Sequence, residues 1–260
     1  MWSHARRESR LTASMVALCL AAVLSAPAHA AAPDSDPRAV AIAQQVLKSL
    51  GGRERWSALT GVRWTYGALV RDSLQSPRHH AWNALTGAHR IDGVTRSGVQ
   101  FLFIHTVGDT TPGIAIMNGA RIGGDSLRVL TNRAQSLWEN DSWWFLMPYR
   151  LLDPGTHLRY ETQVQDAQGT FDRIAMTLDH GGLTPGDRYW LYVNQKTHRI
   201  ERWEYVQQAS TPPPLTWTWD GWEEHDGLWF ATAHRRGFTS IMTNAIQTVK
   251  AFPATEFQAP

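Results

Sequence analysis

The stretch GVRWTYGALVR, residues 61–71, decides the fold. Val62, Trp64, Tyr66, Ala68 and Val70 alternate with Arg63, Thr65, Gly67, Leu69 and Arg71, a period of two that marks a strand with one buried face. Upstream the period is helical. Asp36-Pro37, then Val40, Ile42, Ala43, Val46, Leu47 and Leu50, then Gly51-Gly52, predict an amphipathic helix with a capping Asp, Pro at its first position and Gly just past its end. A second short turn covers residues 53–59. Downstream, apolar stretches at 78–85, 89–94, 99–107 and 113–118 are separated by Thr86-Gly87, Ser97-Gly98 and Asn118-Gly119, the punctuation of antiparallel hairpins.

Residues 126–152 break this pattern. Leu127, Leu130, Ala134, Leu137 and Trp138 fall at helical spacing, so the segment is predicted to be a helical insertion, interrupted near Asn140-Asp141 and again at Pro148, and stopped by Asp153-Pro154-Gly155. Strands resume at 158–164, 171–178, 189–193, 200–206, 215–219, 228–233 and 246–252. The clearest pairing is DRYWLYVN, residues 187–194, folding back on QKTHRIERWEYV, residues 195–206. Glu224 to Gly227 reads as a tight turn, and the Thr211-to-Pro214 run as a stiff loop. The whole is α+β: mainly a long antiparallel sheet, with one helix in front and one helical insertion in the middle.

The first thirty residues have the form of a secretory leader. Arg6, Arg7 and Arg10 precede an apolar run from about Met15 to Ala26, and Ala28-His29-Ala30 supplies a small-x-small cleavage pattern, so cleavage is expected after Ala30 and the protein is expected in the periplasm. The apolar run is short for a membrane span of roughly 20 residues. Cys19, inside the leader, is the one cysteine, so a mature chain at 31–260 has neither disulfides nor thiolate chemistry. Removing the leader's charges from 25 basic and 23 acidic residues leaves 22 of each sign, which argues against a nucleic-acid partner. Residues 31–260 are expected to form one β-rich domain.

Several of these segments resemble a known family. Leu50-Gly51-Gly52, Trp56 leading into the first strand, residues 143–155 (WWFLMPYRLLDPG) and residues 187–193 before Thr197-His198-Arg199-Ile200 look like uncharacterised bacterial envelope proteins that resemble the outer-membrane lipoprotein carrier and sorting superfamily. The resemblance implies a curved, incomplete antiparallel half-barrel whose concave face holds acyl chains under covering helices. Its motifs are packing and turn signatures, and none matches the carrier's functional arginine.

Twelve tryptophans follow the leader, and several fall on strand faces: Trp64, Trp82, Trp190, Trp203, Trp217, Trp219 and Trp229. They fill a core, or they line a cavity. The cavity reading selects Trp64, Tyr66, Phe101, Phe103, Tyr189, Leu191, Trp217 and Trp219 as the wall of an apolar groove, and Trp143, Trp144, Phe145 and Met147 as its lid. Replacing Trp144 by Asp is then expected to abolish uptake and leave the fold intact.

The enzymatic readings have less to stand on. No H-E-x-x-H, G-x-S-x-G, phosphate-binding loop or post-strand G-x-G-x-x-G is present, and no cofactor or metal site is expected. His79 and His80 are adjacent in a strand and face opposite ways, so they do not form a metal pair. Asp179-His180 and His225-Asp226 read as turns, Glu223-Glu224 as a solvated turn, and His105 as a hydrogen-bonded core histidine and the best lone candidate. The sequence therefore points to a non-enzymatic, monomeric periplasmic protein that binds a lipid, acyl group or other apolar envelope molecule and admits a transient envelope partner. Two alternatives stay open: an envelope lipid- or glycan-processing enzyme with a His/Asp site, and a carbohydrate-binding or structural envelope protein.

Overall fold

A computed structural model describes residues 32, 34–71, 73–179, 186–207, 210 and 213–260. The leader with Cys19 and the expected cleavage site, together with His180 and the start of the 211–214 run, lie outside the described residues. Helix α1 (Pro37–Ser49) begins where the sequence placed it, with the Asp36 carboxylate accepting the Arg38 N–H at 2.8 Å. It ends at Leu50, and α2 (Arg53–Ser57) follows two glycines in the left-handed region, Gly51 at φ +110° and Gly52 at φ +88°. A Cβ on Gly51 would sit 2.0 Å from the Gly227 carbonyl oxygen. Gly51→Ala is therefore expected to cost about 2–3 kcal/mol, seen as a lower denaturant midpoint at unchanged slope.

Fourteen strands follow. They are β1 (Gly61–Val70), β2 (Ser73–Asn83), β3 (Ala88–Val94), β4 (Gln100–Thr106), β5 (Ile114–Met117), β6 (Ala120–Arg121), β7 (Thr156–Asp166), β8 (Gly169–Leu178), β9 (Arg188–Asn194), β10 (Ile200–Val206), β11 (Leu215–Thr218), β12 (Asp220–His225), β13 (Leu228–Arg236) and β14 (Thr239–Val249). The single long sheet expected is in fact two. One has nine strands in the order β12-β13-β14-β1-β2-β3-β4-β5-β6, and the other five in the order β11-β10-β9-β8-β7; both are antiparallel, open and curved. They are joined without a loop: β11 runs through Trp219, whose N–H donates to the Glu201 carbonyl at 2.8 Å, directly into β12. Gly221, at φ +64°, makes this corner beneath Thr232, whose hydroxyl donates to the Gly221 carbonyl at 2.7 Å.

Three local expectations are corrected. The polar stretch at Glu223-Glu224 is strand β12, pairing with Phe230 and Trp229, because an edge strand leaves both carboxylates exposed. The last strand starts at Thr239 and ends at Val249, so Phe252 lies beyond it, under the Arg63 guanidinium. Strand β2 begins at Ser73, five residues early, and absorbs Pro77 in a bulge where Ser76 has φ +43° opposite Gly67.

The insertion is one helix, α3 (Gly124–Leu146), followed by a 3-10 turn at Met147–Arg150 that contains Pro148. The expected interruption at Asn140-Asp141 is absent, for a reason given below. Helix α3 lies across the concave side and packs on β4, β5, β13 and β14. Its C-terminal half is buried on every side, and its N-terminal half shows one face to solvent.

Candidate functional site

Asp141 is fully buried in the last turns of the helix that covers the sheet. Arg78, on β2, meets it in a two-pronged ion pair, Nε to Oδ2 at 2.6 Å and Nη2 to Oδ1 at 2.7 Å, while lying over the Tyr66 ring. Asn140 adds an N–H to Asp141 Oδ1 at 2.8 Å and reaches the Tyr66 hydroxyl at 3.3 Å. The Asn-Asp pair has weak helix propensity, and the ion pair to the sheet overrides it.

The carboxylate also opens a chain of histidines. His80 Nε2 is 3.1 Å from Asp141 Oδ2, His80 Nδ1 is 3.0 Å from His89 Nε2, and His89 Nδ1 is 2.9 Å from His105 Nε2. All three imidazoles are buried, and Trp64 stacks on His80 with ring centroids 4.4 Å apart. Burial lowers the pKa of each ring: His80 lies below the ordinary value despite the Asp141 carboxylate, His89 lies well below it, and His105 falls to about 4. Burial alone would push Asp141 up, but the hydrogen bonds from His80 and Arg78 outweigh it and hold the acid below the usual range. At neutral pH the network is thus an arginine–aspartate ion pair with three neutral imidazoles. Because Asp141 only accepts, each imidazole carries its proton on Nε2 and accepts on Nδ1. The chain has one direction, ending at His105 Nδ1, which is buried and has no hydrogen-bond partner among the described residues.

Histidine 105 is therefore the end of a row rather than a lone candidate. The row was missed because it exists only across strands: register sets His89 opposite His105 and opposite Trp82, with His80 two pairs further on, on the same face, against Ile91. The turns expected at Thr86-Gly87 and Ser97-Gly98 carried that register. His79 faces away and bonds Thr65 at 3.0 Å. His157, on β7, bridges Asp34 and Asp179 at 2.7 Å each, near the surface. His225 lies in β12 beside Glu223. Among the described residues no group of three or more His, Cys, Asp or Glu side chains is disposed to hold a metal ion.

The twelve residues read from the sequence as groove and lid are all buried. Ten share the central cluster, where Trp144 meets Trp203 and Trp217 edge-on at 4.9 and 5.1 Å, and Phe145 stacks on Phe230. Phe101 and Phe103 stand apart, in a second cluster with Ile91 and Ala115 under the first half of α3. Three clefts open on the described surface. One of about 290 Å³ lies between Leu47, Trp56, Trp82 and Tyr149; one of about 710 Å³ lies at the sheet corner against Trp217, Trp219 and Arg202; and one of about 480 Å³ surrounds His157 and Tyr189. None of the three is lined by Asp141 or the histidine row, which are buried, while Arg78 is partly exposed; the network ties α3 to β2.

No family model matches the chain, and no curated protein matches it in sequence. Among solved structures it is similar to a DUF1329 family protein from Desulfovibrio piger, with a TM-score of 0.50 at 13% identity over 86% of this chain and 98% of that one. It is also similar to a putative outer membrane lipoprotein-sorting protein domain from Vibrio parahaemolyticus, with a TM-score of 0.47 at 11% identity over 85% of this chain and 96% of that one. MucB is a more distant match, with a TM-score of 0.30 at 12% identity, over 86% of this chain and 64% of that one. The first likeness speaks to the fold: an open, curved antiparallel half-barrel with a covering helix.

Proposed function

We propose that this is an exported carrier that holds an apolar chain, such as a lipid or acyl group, between the concave sheets and α3, with the Arg78–Asp141–His80 contact as the catch of its lid. The observation that carries this reading is the uneven hold on α3. Its last turns are fixed by a buried ion pair and packed among aromatic rings. Its first turns start at Gly123-Gly124 with no side-chain cap, leave Val129 64% exposed, and cover Phe101 and Phe103 with the half-buried Leu127 and Leu130. An uncapped, half-exposed helix end opens at the lowest cost in such a fold. The cluster beneath it then becomes an apolar slot that leads toward the aromatic interior.

Among the described residues, seven buried indole N–H groups, from Trp64 to Trp222, make no well-formed hydrogen bond in this closed arrangement. Leaving such groups unsatisfied costs about 1–3 kcal/mol each, and a core selected for stability alone would use phenylalanine or leucine there. A cargo with ester or amide carbonyls satisfies some of them. Ten buried methylenes contribute about 8 kcal/mol, a micromolar scale of binding before the cost of lifting the helix. Five of these seven rings are buried outright, and Trp82 and Trp222 are partly buried.

A scaffold would bury the same rings, and bound cargo separates the two. The protein, purified from the periplasm of a Gram-negative host without detergent, is expected to carry an acyl species at near-stoichiometric level in native mass spectrometry, identified by denaturing extraction. Trp144→Asp is unsuited as the control, because a carboxylate among Trp203, Trp217 and His234 would unfold the protein. Leu130→Asp, half-exposed on the lid, keeps the fold and is expected to lower occupancy about tenfold. An apo mass that persists after incubation with fatty acid and phospholipid would overturn the carrier reading.

A further inference from the structure

Antiparallel order gathers alternate turns of the nine-stranded sheet at one end. The β13–β14, β1–β2 and β3–β4 turns meet there, because β14 pairs with β1, β1 with β2, β2 with β3 and β3 with β4. Three of the five exposed large apolar side chains lie on these turns: Phe238 is 90% exposed, Val94 44% and Val70 39%. Phe238 is placed there by geometry. Arg236 pairs with Thr239, so Gly237 and Phe238 are the two central residues of a tight hairpin, and Gly237 takes φ +56°.

Each of these apolar tips has an arginine beside it. Arg71, Arg96 and Arg236 are exposed, and none forms an ion pair among the described residues; Arg235 is paired with Asp220. Asp72, in the β1–β2 turn, lies outside the described residues. Three separate turns thus bring to one rim cations that form no ion pair among the described residues, Arg236 with its guanidinium over the Trp217 ring. No run in the sequence announces it.

We infer that this rim is a docking surface for an anionic phospholipid bilayer, with Phe238 entering the interfacial layer and Arg71, Arg96 and Arg236 facing lipid phosphates. Alternating aromatic tips and cations match the interface, where apolar surface and anionic headgroups are layered within a few ångströms. Each arginine near such a surface raises partitioning about fivefold, and a buried phenylalanine side chain raises it tenfold or more. The product, on the order of a thousandfold, corresponds to a reversible attachment rather than an anchor. This inference does not depend on the carrier reading.

Sedimentation with vesicles of phosphatidylcholine, with and without phosphatidylglycerol, tests it on the chain purified from the periplasm. Binding is expected with phosphatidylglycerol at low salt, and is expected to fall as salt rises. Phe238→Ser is expected to lower partitioning about tenfold and Arg236→Glu at least as much, with thermal melts unchanged, since both side chains are exposed. Absence of binding to anionic vesicles at low salt overturns the inference. So does binding that is indifferent to Phe238→Ser, and so does equal affinity for a single-stranded oligonucleotide that falls only with Arg236→Glu, which would make the rim a general polyanion patch.

Discussion

Asp141→Ala is expected to lower the unfolding free energy by about 3–5 kcal/mol, because it leaves the Arg78 guanidinium and the His80 N–H facing a buried site with nothing to accept from them. For a chain of this size that corresponds to a fall in Tm of about 6–20 °C. The loss is also expected to be local. Amide exchange along α3 should accelerate well beyond that of β8 and β9, which touch neither partner. The double variant Asp141→Leu with Arg78→Leu is expected to recover most of the stability, since a buried ion pair is often replaceable by apolar packing. A single-variant loss under about 1 kcal/mol, or exchange rising uniformly over the chain, would sink the assignment of this pair as the catch.

Stability is expected to fall steeply as pH drops from 7 to 5. Four buried imidazoles titrate below the ordinary histidine value: His80, His89, His105 and His234, the last two near 4, and burial is the first cause in every case. In the unfolded chain each titrates near 6.5. Above about pH 7 both states are neutral and these groups contribute no difference. Below 6.5 the unfolded chain takes up protons that the folded chain refuses, and stability is lost until the folded value is passed. At pH 5 His105 and His234 together account for about 4 kcal/mol of that loss, roughly 8–16 °C in Tm.

The charged groups around these rings do not reverse the sign. Asp141, Arg78 and Asp92 act on His80, and Asp220 and Arg235 on His234, without undoing the effect of burial. Asp141 is itself held low, so its contribution persists to below the ordinary carboxylate range. His157 works in the opposite sense: its hydrogen bonds to the Asp179 and Asp34 carboxylates raise its pKa, so it favours the fold at acid pH, but it lies near the surface and water screens most of that gain. Thermal melts across this window check the expectation, and a Tm that stays flat from pH 7 to 5 would contradict it.

What the sequence made legible was whatever depends on local period. The alternation in β1, the cap and double glycine around α1, and the hairpin turns all follow from steric and capping rules that act within a few residues. The misreadings share one cause, that long-range contacts overrule local preference. Asn140-Asp141 looks like a helix break until Arg78 is brought against it. Glu223-Glu224 looks like a turn until the edge position lets both carboxylates stay in water. Ser76-Pro77 looks like the end of a strand until Gly67 makes room for a bulge. The histidine row stands between these cases, since the hairpins that align His89 with His105 were readable, but the tally of one histidine at a time concealed the alignment.

The nine-stranded sheet is closed at its centre by partners from opposite ends of the chain, Gly61 against Val249. A polypeptide made from its N-terminus presents β1 early and its neighbour β14 late. Until then β1 has an open edge, and the tryptophans of the concave face have water beside them. Such wide separation between contacting residues slows folding and prolongs the exposure of an aggregation-prone edge. Completion of β14, rather than the chemistry of any turn, sets the moment at which this sheet can close.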